Sequence, residues 1–289
     1  MTDPMAPRKL PITVVTFNAY HGYPLCAHIE RRLELLRRAL CTTAPDVVLL
    51  QEISVSALYG HLPARLVDGL RADGLEYHLA YSPANGSVAE GGAFEEGSAV
   101  LSRWPIRETE VRRLAAHHPV WRNHHGYEYV EFRIALRAAL EVTPELRLDV
   151  FGTHITDVEP RDGVCARTLQ IEDLVKFVDE RPNRSAPAVV GGDFNAPPQA
   201  AEIIRARALG LEDVCRGRDP GPTNDCDDRD LEDPRDTANQ RIDYVFVAGG
   251  GVTVRDVRLF LDAAVEIEPG QFLWASDHSG IRVDLEIDR

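Results

Sequence analysis

The chain has 289 residues, 44% of them hydrophobic and 27% charged, a composition ordinary for a soluble protein with material for one large core. No run approaches the ~18 apolar residues of a membrane-spanning helix, and MTDPMAPRKLPITVVTFNAY lacks the apolar stretch of a secretory signal, so the expected location is cytoplasmic. A formal net charge of −14 with no basic run counts against a processive binder of nucleic acid, whose phosphates such a surface repels.

Residues 1–10 read as a disordered tail, and 11–289 as a single domain with no repeat and no linker. Ile12 to Phe17 is β-branched and apolar, a strand running into Asn18. Ile29, Leu33, Leu36 and Leu40 recur at helical spacing, and Ala44-Pro45 ends that helix. Val47 to Leu50 is the short apolar run of a strand buried on both faces, delivering Gln51-Glu52. A helix is expected over about residues 55–72, with Pro63 as an awkward member or a new helix start. Ser98 to Ser102 is a strand. Tyr129 to Val142 alternates, with Glu131, Arg133, Arg137 and Glu141 opposite Val130, Phe132, Ile134, Leu136, Ala138 and Leu140; this predicts a half-buried strand. Thr143-Pro144-Glu145 turns it into a second strand, Leu146 to Ile155. A helix over 166–180, a buried strand from Ala188 running to Asp193, and strands Ile242–Val247, Val252–Leu259 and Ile281–Ile287 follow. Helices between strands in the first half, with frequent hairpins, predict an α/β fold of two mixed sheets packed face to face with helices outside. The cysteines Cys26, Cys41, Cys165, Cys215 and Cys226 are odd in number and show no metal-binding spacing; they read as reduced thiols, with a Cys215–Cys226 bridge as the alternative.

Polar residues stand repeatedly where an apolar strand stops. Asn18 follows ITVVTF, Glu52 follows VVLLQ, His154 follows DVFGT, Asp193 and Asn195 follow AVVGG, Asp243 sits in RIDYVF, and Asp277-His278 in WASDHSG. Strand ends share one sheet edge, so these groups can converge. Asn18, Glu52 and Asp277 offer hard oxygen ligands without sulfur, suited to Mg²⁺ or Mn²⁺. Asp193, Asn195, His154 and His278 supply a base and donors. Phosphoester hydrolysis needs this set: a cation on the phosphoryl oxygen, a base for water, and donors for developing negative charge. Taken singly, each residue also reads as a turn former, a solvated strand end or a helix cap; the joint occurrence and order carry the inference.

The ordered series TFNAY, LLQE, GSAVLSRWPI, GTHIT, GGDFNAPP, RIDYVF and SDHSGI resembles the endonuclease/exonuclease/phosphatase superfamily over residues 12–287. The resemblance implies a deoxyribonuclease-I-like, four-layered α/β/β/α sandwich with the site at one end of the sheets. It implies Glu52 as the main metal carboxylate, with Asn18 beside it and Asp277 as a further ligand. It implies Asp193 as the residue that orients or deprotonates water, Asn195 as the phosphate-binding amide, His278 oriented by Asp243, and His154 as a second histidine. Glu96 as the partner of His154, and Arg137 as a phosphate-side arginine, match more loosely. No serine or cysteine stands in a nucleophile motif, so water is the expected attacking group.

The substrate is less legible. Tyr20-His21-Gly22 follows the first Asn where abasic-site endonucleases carry an acid. The segment 216–240 holds eight acidic residues; it reads as a solvated loop, with Ca²⁺ binding as the alternative. His117, His118, His124 and His125 near Trp121 and Tyr127 read as a surface loop or a substrate-side loop. The expectation is a monomeric, Mg²⁺-dependent phosphoesterase acting on a compact phosphodiester or phosphomonoester. A nuclease or a sphingomyelinase-like lipid phosphodiesterase is the alternative. A non-catalytic binding module on the same fold is a reading of another class, and zinc or Ser-His-Asp hydrolysis is disfavoured for want of ligand clusters or a serine elbow.

Overall fold

The computed structural model of the chain describes residues 9–22, 26–89, 92–115, 120–122, 128–157, 165–224 and 230–289. Two mixed sheets carry the architecture. In the first, the strands run from one edge to the other as Val252–Phe260, Gly280–Asp288, Lys9–Asn18, Val47–Ser56, Gly92–Ser102 and His78–Ala89. In the second they run Glu212–Asp213, Asp243–Ala248, Ala188–Asp193, Arg147–His154, Ile134–Glu141 and Ile106–Arg113.

Each sheet has one parallel pair at its centre. Lys9–Asn18 lies parallel to Val47–Ser56, and Arg147–His154 parallel to Ala188–Asp193. Parallel strands need a crossover, supplied by helices Ile29–Thr43 and Ala166–Asp179. Both members of a parallel pair point the same way, so both deliver their last residues to the same edge. Asn18 is in register with Gln51, and His154 with Asp193.

Valine, leucine and isoleucine from both sheets, among them Val14, Leu49, Val150, Val189 and Val283, fill the space between them. Helices Ile29–Thr43 and Leu62–Ala72 cover the outer face of the first sheet, and Ala166–Asp179 with Ala201–Ala208 that of the second. The result is the expected four-layered α/β/β/α sandwich.

Two glycines allow close backbone packing beside the strand ends. A Cβ on Gly191 would sit 2.6 Å from Leu49 Cδ1 of the facing sheet, and one on Gly192 would sit 1.9 Å from the Thr153 carbonyl oxygen. Only glycine permits both contacts: Gly191 lets the facing sheet's Leu49 pack close, and Gly192 lets the neighbouring strand's Thr153 carbonyl approach within the same sheet. Gly192→Ala is therefore expected to destabilise the fold by ~3 kcal/mol or more through backbone displacement. A denaturant midpoint within the error of wild type would contradict this account.

Several local expectations change. The first strand starts at Lys9, paired with Asp288, so it takes two residues from the expected tail. The strand Val47–Ser56 consumes the first turn of the helix expected over 55–72; that helix is Leu62–Ala72, with Pro63 in its first turn and the His61 ring accepting from Ala64 N–H (3.1 Å). The alternating stretch 129–142 is two strands, Glu128–Val130 and Ile134–Glu141, and the latter is buried on both faces because helices cover its Ala135 side. The hairpin at 143–145 forms as expected, with the Thr143 hydroxyl accepting from Leu146 N–H (3.1 Å). Strands His78–Ala89 and Ile106–Arg113 and helix Ala201–Ala208 had no periodic signature. The first is interrupted by Pro83, Asn85 and Gly86, and the second is a charged edge strand. Cys215 carries a free, buried thiol, which disfavours the bridge; Cys226 and His117, His118, His124 and His125 lie outside the described residues. No described helix is long and apolar enough to cross a membrane.

Candidate active site

Glu52 owes its position to an irregularity. The pairing of its strand with Gly92–Ser102 shifts register between Leu50 and Ile53, and Glu52 itself has φ 52°. A left-handed glutamate costs about 1–2 kcal/mol. The kink turns the carboxylate toward the end of the first strand, where Asn18 Nδ2 donates to Oε1 (3.0 Å) and His21 N–H to Oε2 (3.3 Å). Asn18 Nδ2 also reaches across the sheets to Asp193 Oδ2 (3.1 Å).

Asp193 is the last residue of its strand, and Asn195, at φ 47°, folds back so that its N–H donates to Asp193 Oδ1 (2.9 Å). Asp243 is in register with Asp193 on the next strand. His278 Nδ1 bonds Asp243 Oδ2 at 2.9 Å, and its Nε2 lies 3.6 Å from Asp193 Oδ2. His154 Nε2 lies 3.5 Å from the same Asp193 oxygen and 3.1 Å from the Asn195 amide nitrogen, which donates to Ile155 O (2.9 Å). Thus Asn18, Glu52, His154, Asp193, Asn195, Asp243 and His278 form one connected cluster. Asp277 joins it at the rim, accepting from the Ser276 hydroxyl (3.0 Å), which also donates to Asn18 O (2.7 Å).

Burial and neighbours set the protonation states. Burial, opposed by His278, lifts the Asp193 carboxyl well above the usual carboxylate range. Burial pushes His278 down, but Asp243 and Asp193 outweigh it and hold the imidazole charged well above its ordinary pKa. Burial, with Arg133 alongside, drives His154 well below its ordinary value, so it stays neutral. Burial acts to raise Glu52, yet His21, His154, the Asn18 amide and His278 together hold it below the normal glutamate value. Burial raises Asp277, with Glu52 adding repulsion.

Three expected roles change. Asn18 turns its amide NH₂, not its oxygen, toward the carboxylates, and its Oδ1 accepts Tyr20 N–H (2.9 Å). It holds Glu52 and Asp193 in place and offers no oxygen to a cation in this geometry. Glu96 is buried but bonds Asn85 (2.6 Å) and faces Arg133; among the described residues its carboxylate makes no bond to His154. Arg137 is opposite Phe151, about 10 Å back along the strand from His154, and pairs with Asp149 (2.7 Å). The arginine beside the site is Arg133, whose Nη1 lies 2.9 Å from His154 Nδ1. It stands where the alternating strand breaks, and sequence spacing gave no reason to choose it over Arg137.

Two further supports were invisible in sequence. Arg32, only 3% exposed on the first helix, donates to the carbonyls of Ala19, Tyr20 and Ala275, tying the loop after Asn18 to the loop before Asp277. The buried Thr223 hydroxyl accepts from Ile242 and Asp243 N–H (3.0 and 3.2 Å), while its carbonyl accepts Ser279 N–H (2.6 Å). Thr223 thereby fixes the Asp243–His278 pair from behind.

Two donor sets suit a cation. Glu52 and Asp277 offer oxygen alone, and the charge of Glu52 opposes ionisation of Asp277, a repulsion that a hard divalent ion relieves. Ligand atoms of Asp193, Asp243 and His278 also lie within 4.8 Å of one another. There, however, His278 Nδ1 is engaged by Asp243 in a hydrogen bond, an arrangement that holds a proton rather than a metal.

The sequence family described as Endonuclease/Exonuclease/phosphatase matches residues 15–278. A Drosophila melanogaster protein that carries the name of a neutral sphingomyelinase is 24% identical over 285 residues, 96% of this chain; the chain spans 61% of that relative's length. An endonuclease/exonuclease/phosphatase family protein from Bacteroides thetaiotaomicron superposes with a TM-score of 0.74 at 19% identity, covering 98% of this chain and 100% of its own. A mannosyl-6-phosphatase from Bacteroides thetaiotaomicron VPI-5482 does so with a TM-score of 0.67 at 18% identity, covering 95% and 99%. At these identities the solved structures show a shared fold.

Proposed function

The chain belongs to the Endonuclease/Exonuclease/phosphatase family, and from that premise we propose that it is a Mg²⁺-dependent phosphoesterase that hydrolyses a compact phosphate ester by attack of water. The observation that carries this reading is the unbroken relay Asp243–His278–Asp193–Asn18–Glu52, in which each member is within 3.6 Å of the next. A buried carboxylate with a raised pKa aimed at a charged histidine is the arrangement that proton-transfer sites use.

Asp193 takes the proton of the attacking water, since a carboxyl lifted by burial is a better base near neutrality than an ordinary one. Charged His278, held by Asp243, donates to the phosphoryl oxygen as negative charge develops there. Neutral His154 lies on the same side, held by the Asn195 amide, whose nitrogen faces its Nε2 at 3.1 Å and donates to Ile155 O. A divalent cation held by Glu52 and Asp277 would supply Lewis-acid stabilisation of the phosphoryl and leaving-group oxygens. The net charge of −14 favours a small ester over a nucleic-acid polymer.

The test is hydrolysis of bis-p-nitrophenyl phosphate and p-nitrophenyl phosphate with Mg²⁺ or Mn²⁺. Activity is expected to vanish with EDTA and to fall about a hundredfold or more in His278→Ala. Folded wild-type protein silent on both esters with both cations would overturn the reading.

A further inference from the structure

We propose that the site selects singly charged phosphodiesters over doubly charged monoesters, because Glu131 and Asp157 already balance the charge of Arg133. This rests on the phosphoesterase reading above.

Arg133 is 6% exposed and is the guanidinium nearest the reacting groups among the described residues. Its Nη1 faces His154 Nδ1 at 2.9 Å. Its Nη2 is 2.7 Å from Glu131 Oε1 and 3.6 Å from Asp157 Oδ1. Its Nε is buried without an acceptor. An arginine recognises a dianionic phosphate through two parallel N–H groups of its fork. Here one arm of the fork is spent on the histidine and the other on carboxylates.

The local charge balance points the same way. One guanidinium is set against Glu131 and Asp157, with Glu96 buried nearby. His154 accepts an arginine N–H on Nδ1, and its Nε2 lies 3.1 Å from the Asn195 amide nitrogen. A phosphomonoester carries nearly two negative charges at neutral pH, its second pKa being about 6, whereas a diester carries one. Adding the second charge beside Glu131 and Asp157 meets their repulsion, and the histidinium of His278 is already paired with Asp243 (2.9 Å) and close to Asp193 (3.6 Å). The side chains of Glu131 and Asp157 are 18% and 51% exposed, so both reach solvent beside Arg133 and His154. They act as specificity-determining residues.

The experiment compares kcat/KM on bis-p-nitrophenyl phosphate and p-nitrophenyl phosphate for wild type, Glu131→Gln and Asp157→Asn. It also measures inhibition by inorganic phosphate and by dimethyl phosphate. Wild type is expected to favour the diester. In Glu131→Gln the diester-to-monoester ratio should fall about tenfold and the inhibition constant of inorganic phosphate should fall similarly, the scale of one charge-assisted hydrogen bond. Inhibition by dimethyl phosphate should change little. Asp157→Asn, at a half-exposed position that does not test folding, should shift both quantities the same way by about two- to threefold. A wild type that prefers the monoester, or variants that keep activity with an unchanged ratio and unchanged phosphate inhibition, would overturn the inference while sparing the phosphoesterase reading. A wild type inactive on both esters would overturn that reading and this one with it.

Discussion

Asp193→Asn is expected to lower kcat by about 10³- to 10⁴-fold, the span of a lost general base, without lowering stability at neutral pH. The amide keeps the shape of the side chain and can still receive the Asn195 N–H that Asp193 Oδ1 accepts at 2.9 Å. What it removes is a carboxylate that the fold holds at 1% exposure. Burial raises the pKa of that group, so the folded state binds its proton more tightly than the unfolded state does. A raised carboxyl contributes stability that is fully present below the ordinary carboxylate pKa and is lost as pH rises through the folded value. At neutral pH the wild type bears that loss and Asp193→Asn does not. Thermal melts should therefore show the variant level with wild type or below it at pH 4, and gaining on it toward pH 7. Its hydrolysis of the diester should remain near background throughout. A variant that keeps a tenth of wild-type kcat would remove Asp193 from the base role. One that melts lower at pH 7 would show that the pairing with charged His278, 3.6 Å away, outweighs desolvation.

The pattern of this prediction explains why so much of the site was legible before the structure. Asn18, His154 and Asp193 are last residues of strands, and strand termini in parallel pairs land on one edge whatever the details of packing. An apolar run followed by a polar residue is enough to find them. The two-sheet arrangement was readable for the same reason, from apolar runs separated by helical periodicity. Residues that reach the cluster from outside that pattern were missed. Arg32 lies on a helix face where an arginine reads as solvated, yet it is buried under three backbone carbonyls. Arg133 sits at a strand break whose ends are held by Asn85, which bonds both N–H and carbonyl of Phe132 (2.7 and 3.0 Å). That clamp spans 47 residues of sequence, and no local pattern encodes it. Arg137 has the better strand alternation, but three carboxylates claim it away from the cleft.

Glu52→Gln separates the two halves of the site. The substitution preserves the backbone turn at φ 52° and leaves an acceptor for Asn18 Nδ2, so the architecture should survive. It removes the charge proposed to hold the cation. We expect kcat/KM to fall by about 10³-fold, the equivalent of several kcal/mol of lost electrostatic stabilisation. Calorimetric Mn²⁺ binding should weaken at least about tenfold. Asp193→Asn, by contrast, should keep Mn²⁺ binding, because the base lies on the other sheet. The stability effects should also be opposite in sign. Despite burial, the Glu52 pKa lies below the ordinary glutamate value through His21, His154, Asn18 and His278. A depressed carboxyl contributes stability that is present above its unfolded pKa and lost as pH falls through the folded value. Glu52→Gln should thus melt below wild type at pH 7, with the gap closing in acid, where Asp193→Asn loses its advantage. Unchanged Mn²⁺ affinity in Glu52→Gln would move the cation to the Asp193–Asp243–His278 group, whose ligand atoms lie within 4.8 Å of one another. Asp193→Asn would then be the variant that loses the metal.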